Sequence, residues 1–263
     1  MFMVLSLFAS KALIFGRRTL VIRDMGVSNF IKLNMNSVHS FKLSLAAVDG
    51  SLHEVYTREG VLSYVVGARV DFTLEGERLK FSSYDVKDDL VEGQGDEAMR
   101  RLEYELANSS NAEVVLMDRK LTMDAEKGYS VPKRAIGIVK DFDPKVRAQL
   151  DDTFNEYPWL LVEKEGELTT GYFKLNRVSW VFRVETNFKN SEEVLSLLYV
   201  CGNYPIPEAL GYNYPLFVAD KVVKLFRNRM QRAVELGVGK TLKYREFRSL
   251  IEQHRAKNSG WRF

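Results

Sequence analysis

The stretch Leu45-Ala46-Ala47-Val48-Asp49-Gly50-Ser51 ends an apolar run in Asp-Gly-Ser, and a second apolar run begins soon after it. This pattern predicts a buried strand over Leu43 to Val48 that carries Asp49 at its end, where the chain turns. A carboxylate in that place is partly removed from water, which is costly unless a cation neutralises it. The run Val114-Val115-Leu116-Met117-Asp118 repeats the arrangement. Two strand-end aspartates therefore predict one site that holds a divalent metal ion.

Composition limits the class of protein. The 263 residues are 46% hydrophobic and 28% charged, which is typical of one large globular domain or two small ones. The single cysteine, Cys201, excludes an internal disulfide and predicts a reducing, cytoplasmic location. The apolar segment Met1 to Phe15 is too short to span a bilayer and lacks the basic start of a secretory signal. We expect it to form an N-terminal helix (1–16) that docks on the body or on a partner, with no membrane involved.

The charge is unevenly distributed along the chain. A net charge of +3 is too small to indicate a nucleic-acid partner by itself. From Asp220 to Phe263, however, twelve Lys or Arg residues stand against four Asp or Glu residues, which leaves a net negative remainder of the chain. A basic C-terminal segment (226–263) beside a carboxylate-rich body suits a polyanion that must also meet a metal. The alternative is a solvated helical surface.

The order of predicted elements indicates an α/β or α+β fold with a mixed sheet. The prediction includes a hairpin of Val61–Leu74 with Leu79–Tyr84, and an acidic turn over Lys87–Gly95. In chain order, the remaining predicted elements are a helix from an Asp96 N-cap to about Asn108, a strand over Glu113–Asp118, a polar connection over Arg119–Val131, a strand over Arg134–Val139, a helix from Asp143 to about Phe154, strands over Leu168–Leu175 and Val178–Glu185, and helices over Ser191–Val200, Leu216–Leu236 and Thr241–Arg255. Because no repeat or linker interrupts this order, we expect a single domain over residues 1–263.

Further carboxylates are expected to approach the two aspartates. Glu103 and Glu105 flank the apolar face of the helix between the two strands on opposite sides, and the helical wheel does not choose between them. Mg²⁺ and Mn²⁺ prefer carboxylates and water as ligands, and an RNase H-like nuclease builds a two-metal site in this way. Lys140 follows a third strand and could neutralise a phosphate. The competing interpretation is that Asp-Gly-Ser is only a turn.

Other motifs point away from alternative chemistries. One cysteine and three scattered histidines do not make a zinc site of the structural type. Gly237-Val238-Gly239-Lys240-Thr241 lacks the upstream glycine and the preceding strand of a phosphate-binding loop. Trp159 and Trp180 are expected in the core rather than as base-stacking platforms, and Trp261 near the basic end is expected to be more exposed.

Six segments together resemble a known family. They are Val48-Asp49-Gly50-Ser51, Met99-Arg100-Arg101-Leu102-Glu103, Val115-Leu116-Met117-Asp118-Arg119-Lys120-Leu121, Ala135-Ile136-Gly137-Ile138-Val139-Lys140, Val181-Phe182-Arg183-Val184-Glu185 and Gly211-Tyr212-Asn213-Tyr214-Pro215-Leu216. Their order and spacing resemble the NurA family of archaeal and bacterial DNA nucleases over about residues 45–225.

The resemblance implies an α/β, RNase H-like mixed sheet flanked by helices, and a homodimer with a central DNA channel. It implies Mn²⁺-dependent cleavage of single-stranded DNA and 5′ to 3′ digestion of duplex ends, together with a hexameric HerA translocase, in the resection of double-strand breaks. Carried over by motif, the implied metal ligands are Asp49, Glu103 and Asp118. Lys140 is implied as a phosphate contact, and Tyr212 matches a tyrosine of the last motif.

The chain departs from the family pattern in two places. Many members have Asp-Gly-Ser at the second strand, where this chain has Asp118-Arg119-Lys120. About eight residues after the motif tyrosine, members commonly have a histidine, and this chain has Asp220. Aspartate can bind a metal but is a poorer proton shuttle at neutral pH.

The leading hypothesis is therefore a metal-dependent DNA nuclease. One or two Mn²⁺ or Mg²⁺ ions would be held by Asp49, Glu103, Asp118 and Asp220. A basic helix would follow the DNA backbone through Lys221, Lys224, Arg227 and Arg229. The alternatives are a non-catalytic homologue that binds DNA or a HerA-type motor as an adaptor, and an RNase H-like enzyme that acts on RNA or a hybrid.

Overall fold

The computed structural model describes residues 29–34, 40–57, 60–209, 211–240, 248–249 and 252. The predicted N-terminal helix, most of the predicted helix over 241–255 and Trp261 lie outside these residues. The described strands are β1 (Asn29–Lys32), β2 (Phe41–Thr57), β3 (Gly60–Gly76), β4 (Arg78–Glu92), β5 (Val114–Met117), β6 (Ala135–Val139), β7 (Trp159–Lys164), β8 (Thr169–Lys174) and β9 (Phe182–Thr186). The described helices are α1 (Asp96–Asn108), α2 (Leu121–Glu126), α3 (Pro144–Thr153), α4 (Ser191–Gly202) and α5 (Tyr214–Lys240).

These strands form one mixed sheet in the order β1-β7-β8-β9-β6-β5-β2-β3-β4. Strands β2, β5 and β6 are parallel to one another, and the remaining neighbours pair antiparallel. Helices flank both faces of the sheet. The predicted α/β fold with a mixed sheet is confirmed.

The alternation of side chains along β2 divides the core into two faces. Ala46 and Val48 pack with Tyr104, Leu106 and other residues of α1 on one face. Leu45 and Ala47 point to the other face, where α4 and the start of α5 cover them. Further along α5, a second apolar cluster packs against β3, and its α5 members are Val223, Met230, Ala233 and Val234. The fold therefore places α1 and α5 on opposite sides of β2.

Several predicted elements differ from the structure. β2 does not turn at Asp49-Gly50-Ser51 but continues to Thr57, because β3 pairs with it along its whole length. The expected acidic turn over Lys87–Gly95 is largely strand, since β4 extends to Glu92. The N-cap of α1 is Gly95 rather than Asp96, which is the first helical residue. The polar connection after β5 contains α2, and β7 was not predicted.

Other predictions of local structure are confirmed. The β3–β4 hairpin pairs Glu75 with Arg78, as the sequence indicates. The Asp143 side chain caps α3 by accepting a hydrogen bond of 2.8 Å from the backbone N–H of Lys145.

The helices within the described ranges are each too short or too polar to span a lipid bilayer.

A candidate metal centre at the ends of three parallel strands

The register of three parallel strands brings Asp49, Asp118 and Lys140 to one edge. Val48 lies opposite Met117 on the neighbouring strand β5. Asp49 and Asp118 each follow directly after these partners, so they lie side by side at the ends of the two strands. Met117 in turn lies opposite Gly137 of β6, which Lys140 follows. The side-chain alternation places all three on the face covered by α5. The Lys140 Nζ lies 2.5 Å from an Asp118 carboxylate oxygen.

Asp49 is a buried carboxylate with little compensation. Its side chain is only 9% exposed, and its carboxylate accepts a hydrogen bond of 2.9 Å from the backbone N–H of Gly50. Burial, followed by repulsion from Asp118, raises the pKa of Asp49 to about 7, against the smaller opposing effects of the Gly50 N–H and Lys140. None of the described Lys or Arg side chains forms a salt bridge with it. The surroundings therefore favour either a proton or an added cation on Asp49.

A pair of glycines lets α1 bring Glu103 to the same strand. Gly50 and Gly67 are register partners on β2 and β3, and α1 packs directly over both. A Cβ built on Gly50 would lie 2.7 Å from the Glu103 Oε1 atom, which is far inside contact distance. Glycine in Asp49-Gly50-Ser51 therefore serves the close approach of a helix, where the sequence had suggested a turn.

The structure chooses between the two candidate glutamates. Glu103 is 2% exposed, and burial raises its pKa to about 8 although the Arg119 Nη1 atom lies 3.2 Å away. The Glu103 Oε2 atom, which is the oxygen near Arg119, is buried and has no hydrogen bond of standard geometry among the described residues. Glu105 instead faces solvent and pairs with Lys87 at 3.2 Å.

Tyr212 and Asp220 complete the cluster from the α5 side. The ring of buried Tyr212 lies under the Lys140 Nζ, 4.5 Å from the ring centroid. Burial raises the pKa of Tyr212 well above its usual value, and the neighbouring carboxylates of Asp118, Asp49 and Asp220 add to the effect. Asp220, in the second turn of α5, pairs with Lys224 at 2.7 Å. All six residues predicted for the site are thus brought together.

A buried ionic network beside the site was not predicted. Asp124 on α2 contacts the Nε atoms of Arg100 and Arg119 at 3.0 and 3.1 Å, and the Tyr104 hydroxyl donates to it at 3.1 Å. Arg119 also contacts Glu103, so the network extends to the candidate centre. Its members come from three separate segments with no local signature, and only the tertiary structure could reveal them.

The donor set fits a hard divalent cation, because all four candidate ligands offer carboxylate oxygens. Asp118, Glu103 and Asp220 each face a Lys or Arg side chain, and Asp49 does not. Within the described residues, no three Asp, Glu, His or Cys side chains are already arranged to hold a metal. We therefore expect metal binding to require the lysines to leave Asp118 and Asp220.

The outward-facing basic and aromatic residues are distributed as follows. Lys221, Lys224 and Arg229 are exposed on α5, and the Arg227 guanidinium donates to the Ser51 hydroxyl at 3.0 Å. This contact sets α5 along the face of β2 that carries Asp49. Trp159 is buried as predicted, whereas the prediction that Trp180 belongs to the core is wrong, since Trp180 is 67% exposed.

Comparison with known proteins gives a family and a fold. The NurA domain family matches residues 43–156 and 160–225. A search of curated proteins found no match. Solved structures of low identity share the fold, and three of them illustrate the similarity. The NurA nuclease from Sulfolobus solfataricus is 14% identical with a TM-score of 0.54, over 91% of this chain and 95% of that one.

The other two structures are a second NurA and an endonuclease V. The NurA is 10% identical with a TM-score of 0.52, over 91% of this chain and 98% of the other. The endonuclease V from Bacillus subtilis is 14% identical with a TM-score of 0.51, over 85% and 94% of the two chains. At these identities the similarity shows the fold, which agrees with the RNase H-like sheet expected from the sequence.

Proposed function

The chain belongs to the NurA family, and from this premise we propose that it is a metal-dependent DNA nuclease that hydrolyses phosphodiester bonds. The observation that carries the proposal is Asp49, a buried carboxylate that forms no salt bridge with the described Lys and Arg side chains and lies beside Asp118 and Glu103. A purely structural carboxylate would be expected to have its charge compensated within the protein. The family and the donor chemistry together favour a divalent metal as the missing charge.

The proposed metal ligands are Asp49, Glu103, Asp118 and Asp220, and the proposed ion is Mn²⁺ or Mg²⁺. When bound, such an ion stabilises charge on a phosphate and lowers the pKa of a coordinated water. Other residues of the chain position the proposed ligands. Gly50 leaves room for Glu103, and Arg119 holds that carboxylate from the opposite side.

Lys140 and Tyr212 are proposed to act on the phosphate. The Lys140 ammonium lies on the rim of the cluster and can move from Asp118 to the incoming phosphate oxygens. A tyrosine phenol keeps its proton at neutral pH, and burial raises the pKa of Tyr212 further, so its hydroxyl can donate a hydrogen bond to the substrate. Exposed Lys221, Lys224 and Arg229 on α5 would contact the DNA backbone farther from the centre.

Finer parts of the proposal come from family membership. We propose endonuclease activity on single-stranded DNA and 5′ to 3′ exonuclease activity, in the resection of double-strand breaks. A homodimer and a HerA-type hexameric ATPase are the proposed partners, and a DNA substrate implies a cytoplasmic location. One domain over residues 1–263 remains our proposal for the domain organisation.

The second candidate function is a DNA- or HerA-binding adaptor with weak or no catalysis. The observation in its favour is that three of the four candidate ligands are paired with Lys or Arg side chains. Asp220 in place of the family's common histidine points the same way. Cleavage by the purified protein separates the two candidates.

The decisive experiment measures cleavage of end-labelled single-stranded DNA by the full chain, with Mn²⁺ and then with EDTA. We expect cutting that needs the metal, and a loss of more than about 100-fold in Asp49→Ala, which exceeds the usual effect of residues one shell away from a metal. Glu103→Gln should lose activity similarly. Glu105→Gln is the matched control on the same helix and should cut like the unchanged protein.

Metal-dependent cutting that survives in Asp49→Ala would overturn the assignment of the site. No cutting by the unchanged protein, with DNA binding retained and no rescue by a HerA-type motor, would favour the adaptor. Competition with RNA and with a hybrid duplex tests whether DNA is the preferred substrate.

A further inference from the structure

The tip between β8 and β9 presents an apolar surface to solvent. Val178 is 75% exposed and Trp180 is 67% exposed. The tip is well fixed, because the Asn176 Oδ1 accepts hydrogen bonds from the backbone N–H groups of Val178 at 3.1 Å and Ser179 at 2.8 Å. The Ser179 hydroxyl donates back to the Asn176 carbonyl at 3.0 Å. A large aromatic ring is therefore held outward on a short, internally bonded turn.

A guanidinium joins this ring to the candidate metal centre. The Arg147 Cζ lies 5.2 Å from the Trp180 ring centroid and 4.6 Å from that of Phe142, so the cation is within cation–π distance of both rings. Arg147 also donates a hydrogen bond to the backbone carbonyl of Lys140. Lys140 in turn contacts Asp118. Trp180 is thus separated from the cluster by one arginine and one lysine.

A second connection fixes the tip relative to Tyr212. Ser179 packs so closely on Gly211 that a Cβ at Gly211 would lie 2.0 Å from the Ser179 Cβ. Gly211 has a φ of +72°, in the left-handed region that favours glycine, and Tyr212 follows it. The aromatic tip and the Lys140–Tyr212 pair therefore form one rim.

We propose that Trp180, supported by Arg147, is a stacking platform for an unpaired base of single-stranded DNA whose phosphate lies at Lys140. The inference rests on the proposed nuclease function and names a substrate-binding residue for it. Bases stack on exposed aromatic rings irrespective of sequence, and neighbouring cations hold the backbone. Arg177, exposed on the same tip, adds a further positive charge. A duplex interior offers no free base face, so the platform would select single strands or frayed ends.

The same apolar tip could instead meet a second copy of this chain. We favour the nucleic acid because Arg147 contacts the Trp180 ring and exposed Arg177 lies on the same tip. A phosphate backbone complements these positive charges. The tip is also connected to Lys140 through Arg147, which favours a ligand that extends from the tip into the candidate metal centre. The association state of the variants below distinguishes the two occupants.

The test measures binding of the full chain to fluorescently labelled oligothymidine in EDTA, so that no cleavage occurs. Trp180→Ala should weaken binding by about 5- to 100-fold, the effect of losing one stacked base. Trp180→Phe should restore most of the affinity, since it keeps a ring. Tyr56→Ala removes another aromatic side chain, which is 76% exposed on β2, three strands away from β9 in the sheet. This variant should bind like the unchanged protein.

An abasic oligonucleotide of the same length provides the sharper comparison. It keeps the phosphates but has no bases, so the unchanged protein and Trp180→Ala should bind it equally. Equal binding of oligothymidine by both proteins, or an equal loss on both ligands, would overturn the platform. So would a halved molar mass of Trp180→Ala in light scattering, which would make the tip an interface between copies.

Cleavage with Mn²⁺, measured on the same proteins, keeps the two proposals separate. If the unchanged protein cuts DNA and Trp180→Ala binds as tightly as it does, only the platform fails. If the unchanged protein does not cut, yet Trp180 carries base-dependent binding, the nuclease fails and the platform stands as part of an adaptor.

Discussion

Asp124 and Asp49 are both buried, yet the chain surrounds them differently. Asp124 is 0% exposed and is contacted by Arg100, Arg119 and the Tyr104 hydroxyl. Asp49 is 9% exposed and receives only the backbone N–H of Gly50 among the described contacts. A buried charge is tolerated where the fold supplies its partners. Asp124 therefore has a structural role, and Asp49 is suited to a partner from outside the chain.

Arg119 joins the two regions. Its Nε atom contacts Asp124 and its Nη1 atom contacts Glu103. The ion-pair network around Asp124 thus holds Glu103, one of the proposed ligands in the Asp49 cluster. We interpret Arg119 as a positioning residue that fixes the Glu103 carboxylate next to Gly50. This gives a structural role to one residue that departs from the family's usual Asp-Gly-Ser.

The largest effect on stability is expected at Asp124. Asp124→Asn removes the charge that neutralises Arg100 and Arg119, and leaving buried cations without their partner costs about 3–5 kcal/mol. Urea unfolding at pH 8 measures this loss. A loss below about 1 kcal/mol would show that Glu97 and Glu103 suffice for the arginines and would weaken the contrast between the two aspartates.

A divalent metal ion should stabilise the folded protein by binding at the Asp49 cluster. At pH 8 and a Mn²⁺ concentration of 100 times the dissociation constant, linkage predicts about 2.7 kcal/mol of added stability. The thermal unfolding midpoint measures it. The shift should disappear in Asp49→Asn and shrink at pH 5, where protonation of Asp49 and Glu103 competes with the metal. An equal shift in Asp49→Asn would mean that the ion binds elsewhere.

In EDTA, Asp49→Asn should raise stability, opposite in sign to Asp124→Asn. The pKa of Asp49 is about 7 in the folded protein against 3.8 for the unperturbed group. The unfolded state therefore loses its proton first, and this carboxyl makes the unchanged protein less stable as pH rises from about 4 to about 7. Asparagine carries no charge, so the variant avoids this loss, which reaches up to about 4 kcal/mol at pH 8. Matching pH profiles of the two proteins in urea would contradict the assignment.

Part of this contrast could be predicted from sequence. Apolar runs that end in aspartate placed Asp49 and Asp118 on neighbouring strands, because burial and strand length leave a strong local pattern. The turn at Gly50 was wrong because the pairing of β2 with β3 outweighs a local Asp-Gly signal. Asp124 could not be recognised, since its two arginines come from α1 and from the loop after β5.

The exposed aromatic tip shows another limit of sequence. The sequence predicts both Trp159 and Trp180 in the core, and nothing in its composition separates the two residues. Trp159 lies within β7, where neighbouring strands and α3 bury it. Trp180 follows a turn after β8 in which the Asn176 side chain accepts hydrogen bonds from the backbone N–H groups of Val178 and Ser179. The Trp180 ring after this turn faces solvent. Tertiary position therefore decides which aromatic residue remains available to a ligand.

The smallest effect on stability is expected at Glu105, and this residue is the closest control for Glu103. Glu103 and Glu105 lie on the same helix, and the apolar pattern of α1 treats them alike. The Gly50–Gly67 pair determines which side of α1 meets the sheet, so Glu103 is buried and Glu105 pairs with Lys87 in solvent. Because exposed ion pairs contribute little to stability, Glu105→Gln should change the free energy of unfolding in urea by less than about 0.5 kcal/mol.

The Mn²⁺-induced shift of the unfolding midpoint should also survive in Glu105→Gln and be lost in Glu103→Gln. Both substitutions change one carboxyl group on the same helix to an amide of the same size, so a difference between them cannot come from the kind of substitution. It must come from the position that the glycine pair assigns to each side chain. Equal metal shifts in the two variants would place the bound ion outside the Asp49 cluster.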